Sequence, residues 1–154
     1  MHAKTEAEGR QTAYHGVPWE DAYGYAQAVR VGDTIHVSGQ LAHDVQGNLI
    51  APAPLGEDGQ LRDASNMADQ MRATYANASR LLAQFSATLA DVVEETLYVR
   101  DVPAAFAVAG KVRKEAYGVD RPQVASNLIG ISQLAFPEQL IEITYKAIVH
   151  RPSA

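Results

Sequence analysis

The chain has no cysteine, which excludes disulfides, a thiolate nucleophile and any zinc site built from cysteine. It has no cluster of Lys and Arg beyond the scattered group Lys111, Arg113 and Lys114, and its formal net charge is −5. Recognition of a phosphate backbone draws on clustered cations, so nucleic acid is not an expected partner. No apolar run approaches the ~20 residues needed to cross a bilayer, so no membrane association is expected. The stretch Met1 to Arg10 lacks the apolar core of a signal peptide and reads as a frayed polar tail. The expectation is a soluble, cytoplasmic protein. Also missing are a Gly-x-Ser-x-Gly nucleophile elbow, a glycine-rich phosphate loop and any His-x-His or His-Glu-x-x-His spacing. Serine-hydrolase chemistry, a metal site and a bound cofactor are therefore not expected.

What remains is a chain of 154 residues with 47% hydrophobic content, enough for one domain with a real core. Residues 1–21 read as a polar N-terminal extension and residues 22–150 as a single domain. Ala22 to Val29 and Thr34 to Ser38 favour strands, and Gly32-Asp33 supplies the turn of a hairpin. The segment Gly47 to Arg62, with Pro52, Pro54, Gly56 and Gly59, predicts an exposed loop. From Ser65 the period changes. Met67, Met71, Tyr75, Ala78, Leu82 and Phe85 fall on one helical face, with Asp63 or Ser65 available as the cap. Val92 to Val99 reads as a strand in which Glu94-Glu95 disturbs the alternation, and Pro103 opens a second helix that stops at Gly118. Strands over Gln123 to Ile131 and Leu140 to Val149 follow. The order predicts an α+β fold: a single mixed β-sheet with two helices packed on one face, leaving the other face to be covered.

Candidate site residues come from polar groups in apolar strands. Glu142, between Ile141 and Ile143, is either a carboxylate whose burial suits it to positioning water or the solvated side of an edge strand. Ser38-Gly39 offers a hydroxyl and a closely approachable backbone, or simply ends a strand. Tyr25 either reaches a cleft with its hydroxyl or packs half-buried. His36 shares a strand face with Ser38, whereas His15, His43 and His150 read as surface or loop residues.

The ordered segments Tyr25 to Val29, Gly32-Asp33 leading to Ser38-Gly39-Gln40, Asp91-Val92-Val93, Leu97 to Asp101 and Ile141-Glu142-Ile143 resemble the Rid (YjgF/YER057c/UK114) family over Ala22 to Ile148. The resemblance implies a chorismate mutase-like chain assembled as a homotrimeric barrel with ligand clefts between subunits. It implies a catalytic role for Glu142 and substrate-binding roles for Tyr25, Ser38 and Gly39. Counting back from Leu134 puts Ser126 where imine-deaminating members carry a carboxylate-binding arginine, and Leu128 where a cysteine or other small residue is common. Gly110 stands where those members often have asparagine. The chain therefore resembles a divergent member, without the arginine.

Loss of that cation has a calculable consequence. A ligand carboxylate about 4 Å from ionised Glu142 meets roughly 4 kcal/mol of repulsion at an effective dielectric of 20, and a serine offers only one neutral hydrogen bond in return. A neutral or amine-bearing ligand fits better than a 2-imino acid. The expected function is a small-molecule hydrolase or deaminase acting on an imine, enamine or related reactive metabolite. The alternative is a non-catalytic trimer that binds a metabolite or regulates a partner. A third reading, endoribonuclease or translation inhibitor, is opposed by the acidic balance. The expected assembly is checked by light scattering at micromolar concentration, which should give three times the chain mass of 16.6 kDa; a clean monomer mass would contradict it.

Overall fold

The computed structural model describes residues 4–5 and 9–149. Its elements are β1 (Lys4–Thr5), β2 (Arg10–Ala13), α1 (Pro18–Tyr23), β3 (Ala28–Val31), β4 (Thr34–Gln40), α2 (Met67–Ala83), β5 (Val92–Val99), α3 (Val102–Tyr117), β6 (Ala125–Gly130) and β7 (Ile141–Ile148). The strands form a single seven-stranded sheet in the order β1-β2-β3-β4-β7-β5-β6. The pair β5 and β6 is parallel and the other pairs are antiparallel, so the sheet is mixed. Helix α3 is the crossover that a parallel pair requires.

Alternation along the central strands decides which face the helices cover. Ile35 and Val37 on β4, Leu97 and Val99 on β5, and Ile141, Ile143, Tyr145 and Ala147 on β7 are buried against α2 and α3. The helical stripe Met67, Met71, Tyr75, Ala78, Leu82 and Phe85 is buried in full. Helix α2 starts at Met67 without a side-chain cap, because the carboxylate of Asp63 instead accepts from the Ser65 N–H at 3.0 Å and its hydroxyl at 2.7 Å. Asp101 caps α3 by accepting from the Ala104 N–H at 2.9 Å.

The first hairpin forms at Gly32-Asp33, where Gly32 has φ +60 and Val31 pairs with Thr34. Its first strand begins later than the β-branched pattern predicts. Pro18 sits in the first turn of α1 and Gly24 ends it at φ +82. The Glu20 carboxylate holds that start in place, accepting from the backbone N–H groups of His15, Gly16 and Val17 at 2.8, 2.9 and 3.2 Å. A third, short helix thus occupies Ala22 and Tyr23, where a strand was expected. Residues 10–13, assigned above to a polar extension, pair with β3 and bury Ala13. Residues 1–3 and 6–8 of the expected tail, and His150, lie outside the described residues.

The uncovered face mixes polar and apolar groups. His36, Glu94, Thr96, Tyr98, Asn127, Glu142, Thr144 and Lys146 share it with Val29, Val31, Ile129 and Ile148, of which Val31 and Ile129 are exposed. A bulge explains the Glu94-Glu95 irregularity. Val92 opposes Ala147 while Glu94 opposes Lys146, so Val93 is the extra residue. This sends Glu94 to the open face and Glu95 into the core.

Glu95 is fully buried and fully partnered. It pairs with the Arg113 Nε at 3.1 Å and accepts from the hydroxyls of Tyr117 at 2.8 Å, Tyr75 at 3.0 Å and Ser126 at 2.8 Å. Burial first, and then the Glu95 charge, push the Tyr75 and Tyr117 phenols far above their ordinary range, so both stay protonated as donors. Removing one member of a buried pair leaves an uncompensated charge. Arg113→Met should therefore destabilise the fold by about 3 kcal/mol, measured by urea denaturation. Adding Glu95→Gln should recover part of that loss; a full Arg113→Met effect that Glu95→Gln leaves untouched would show the pair to be incidental.

Candidate functional site

The second irregularity of the sheet lies between β4 and β7. Val37 opposes Tyr145 and Gln40 opposes Ile143, leaving Ser38 and Gly39 together opposite Thr144. Bulges of this kind re-aim side chains and backbone. Here the bulge brings bare backbone beneath Glu142: a Cβ placed on Gly39 would collide with the Glu142 carboxylate. The glycine thus serves the close approach of Glu142 and not a special dihedral angle: a side chain at 39 would push the carboxylate from this seat.

Glu142 is half-buried on the open face, with Tyr98 of β5 in register beside it. Desolvation pushes its carboxyl above the usual carboxylate range, with the Gln139 amide partly opposing. None of the ion pairs among the described residues includes it. Tyr25 stands close enough for the Glu142 charge to help raise its phenol. Burial is the main cause of that rise, and hydrogen bonds from Trp19 and Gln27 oppose it. Ser38 spends its proton on the Ala26 carbonyl, to which its hydroxyl donates at 2.9 Å, so its lone pairs remain as acceptors.

Of the six residues singled out in the sequence, Tyr25, Ser38, Gly39 and Glu142 come together and two do not. Ser126 lies on the helix side of the sheet, donating to Glu95 and accepting from Arg113 Nη2 at 3.0 Å. Leu128, two positions on, packs against the core from the same side. The residue of β6 on the open face is Asn127, whose amide reaches Thr96 Oγ1 at 3.5 Å. The position inferred for an absent arginine is thus displaced by one from the face that carries Glu142, and a one-residue step reverses a strand side chain. Arg121 is exposed in the turn before β6.

Behind Tyr25 lies a set of residues that the motifs did not single out. Gln27 and Gln40 are 2% and 1% exposed. Gln27 donates to the Tyr25 hydroxyl at 3.1 Å, Gln40 donates to Gln27 Oε1 at 2.9 Å, and His15 Nε2 meets Gln40 Oε1 at 2.8 Å. Their signal in the sequence was amides within strand-like apolar segments. His15 and His43 are not surface residues either. His43 is buried, with the rings of His15 and Trp19 edge-on at 4.9 and 5.1 Å, and burial lowers the pKa of both histidines. They line a cavity of about 310 Å³ with Tyr14, Arg80 and Gln84. A second hollow of about 300 Å³, on the open face, is lined by His36, Glu94, Thr144 and Lys146. Glu142 lines neither. Among the described residues no group of three or more His, Asp or Glu is arranged to hold a metal ion, and no helix is long and apolar enough to cross a membrane.

Comparison with known proteins bears on this arrangement. The model of the family described as endoribonuclease L-PSP matches residues 19–149. A 2-iminobutanoate/2-iminopropanoate deaminase of Dermatophagoides farinae is 26% identical over 71% of this chain and 74% of its own. A RutC family protein of Pyrococcus abyssi is 30% identical over 64% of this chain and 67% of its own. In structure, a YjgF/YER057c/UK114 family member from Mycobacterium tuberculosis superposes with a TM-score of 0.72 at 27% identity, covering 91% of this chain and 99% of its own. Matched across both core helices, the bulged β4 and the Glu142 strand, this chain belongs to the endoribonuclease L-PSP family, the Rid or YjgF/YER057c/UK114 proteins.

Proposed function

We propose that the protein hydrolyses a neutral imine or enamine to a carbonyl compound and ammonia, with Glu142 as the catalytic acid-base and Tyr25, Ser38 and Gly39 placing the substrate. The observation that carries this reading is the unpaired, half-buried Glu142 carboxylate resting on the Gly39 backbone. A carboxyl with a raised pKa, held on a rigid strand, is suited to exchanging a proton with water near neutral pH. Glu142 takes a proton from the attacking water as the C–O bond forms at the imine carbon. It returns that proton to nitrogen, giving a carbinolamine; it then takes the carbinolamine hydroxyl proton and passes it to the amine as the C=O bond forms and the C–N bond breaks, releasing ammonia. The name of the mite relative supports this reaction type.

The substrate class follows from charge. The residue of β6 that shares the open face with Glu142 is the uncharged Asn127, which favours neutral substrates over 2-imino acids. A homotrimer with the site walled by a neighbouring subunit is part of this proposal, supported by the family and by the exposed face that carries Glu142. A non-catalytic metabolite-binding trimer is the second reading, favoured by that same lack of a charged clamp. An endoribonuclease is disfavoured by Glu94 and Glu142 on the open face and by the net charge of −5.

Ammonia release above the buffer rate from a panel of neutral and carboxylated imines generated in situ tests the reaction. Glu142→Gln should lower that rate about a hundredfold or more; no enzymatic release, with no effect of the substitution, would sink the enzyme reading. The same variant carries a stability signature. A carboxyl whose folded pKa is raised binds protons more tightly in the native state, so its contribution to stability falls as pH rises from the unfolded value near 4.3 through the folded one. The melting temperature of Glu142→Gln should equal or exceed that of the wild type, by a wider margin at pH 7 than at pH 4. A margin that shrinks with pH would mean Glu142 is held by a cation. Gly39→Ala should lower stability and turnover together, and the stability loss should vanish in the Gly39→Ala, Glu142→Ala double variant.

A further inference from the structure

The hydrogen bonds behind Tyr25 have a direction, and one atom sets it. The Ser38 backbone carbonyl can only accept, and the Gln40 side chain lies 2.9 Å from it. The Gln40 atom facing that carbonyl must therefore be its NH₂, which resolves the ambiguity that normally attends an amide. The second proton of the same NH₂ goes to Gln27 Oε1 at 2.9 Å. The Gln27 oxygen is thereby committed, so its nitrogen is the group 3.1 Å from the Tyr25 hydroxyl, and it donates. At the other end the Gln40 oxygen needs a donor and receives the His15 Nε2–H at 2.8 Å. Both glutamines are almost wholly buried, where an amide turned the wrong way would leave unpaired groups at about 1–3 kcal/mol each.

The Tyr25 oxygen is thus an acceptor on its inner side, and its own proton is left to point outward. We infer that Gln27, Gln40 and His15 are positioning residues that hold the Tyr25 hydroxyl as a hydrogen-bond donor toward the site, so that the ligand atom meeting Tyr25 is a neutral acceptor such as a carbonyl oxygen. Ser38 presents the opposite polarity, its proton being spent on the Ala26 carbonyl. Donor and acceptor at the margin of one carboxylate select a ligand that carries an N–H group beside an acceptor, as a carbonyl-conjugated imine or enamine does. The specificity rests on the reading of Glu142 as the site; the orientation of the Tyr25 hydroxyl does not.

The test turns that hydroxyl around. Gln27→Glu keeps the shape and the acceptor for Gln40, but replaces the donor to Tyr25 with a carboxylate oxygen, so the Tyr25 proton points inward. Gln27→Met removes this donor and leaves Trp19 as the remaining donor to the hydroxyl. In the full chain labelled at tyrosine ¹³Cζ, the Tyr25 resonance should titrate at higher pH in Gln27→Met than in the wild type, and higher again in Gln27→Glu. With a neutral imine as substrate, Gln27→Glu should lower kcat/KM to the level of Tyr25→Phe, about tenfold. Gln27→Met should lose less, and the Tyr25→Phe, Gln27→Glu double variant should be no worse than either single one. A Tyr25 titration unmoved by both substitutions would overturn the inference, as would a Gln27→Glu enzyme that retains kcat/KM while Tyr25→Phe loses it. If no imine is turned over, the titration alone decides whether the relay exists, and the failure belongs to the reaction proposed above. If Gln27→Glu does not fold, the direction of the Gln27→Met shift decides in its place.

Discussion

The contact between the Glu142 carboxylate and the bare backbone of Gly39 is the constraint around which the site is organised. It depends on a glycine at 39, because a Cβ would oblige the Glu142 side chain to move from this seat. It requires the bulge in β4, because an unbroken ladder would set another side chain across from β7. The bulge in turn turns Gln40 inward, where its amide is held by the Ser38 carbonyl and meets Gln27. The orientation of Tyr25 and the seat of Glu142 are thus two results of one extra residue in one strand.

Two carboxylates on neighbouring strands show how a sheet separates structure from chemistry. Glu95 points to the helices, where an arginine and three hydroxyls satisfy it. Glu142 points to the open face, half-buried and in none of the ion pairs among the described residues, and desolvation raises its pKa. That difference marks Glu142 and not Glu95 as the acid-base candidate, although Glu95 is the more deeply buried.

The mixed polar and apolar character of the uncovered face sets what could be seated on it. Apolar area alone would make association a matter of hiding surface, yet beside Val29, Val31, Ile129 and Ile148 this face carries His36, Glu94, Thr96, Glu142, Thr144 and Lys146. A partner seated there would meet hydrogen-bonding groups and charges, and its fit would depend on pairing them. This is consistent with a surface that shares its residues between contact and ligand.

Much of the fold was legible in the sequence, since periodicity is a local property. The 3.6-residue stripe from Met67 to Phe85, the Gly32-Asp33 turn, the strand Val92 to Val99 and the helix from Pro103 to Gly118 each follow from neighbours within a few positions, and the structure shows them. Tyr25, Ser38, Gly39 and Glu142 could be singled out for the same reason, as polar or small residues in strand patterns. What the tertiary structure alone decided is which way groups point. The α1 helix depends on Glu20 reaching back to three backbone N–H groups, so a strand pattern lost to a carboxylate. Ser126 was assigned by counting to the wrong face, because strand register is set by partners far along the chain and one position inverts a side chain. The direction of the His15, Gln40, Gln27 and Tyr25 hydrogen bonds came from a single carbonyl, at Ser38, brought beside them by a bulge. Local sequence determines which elements form; long-range pairing determines which atoms face one another, and the chemistry depends on the latter.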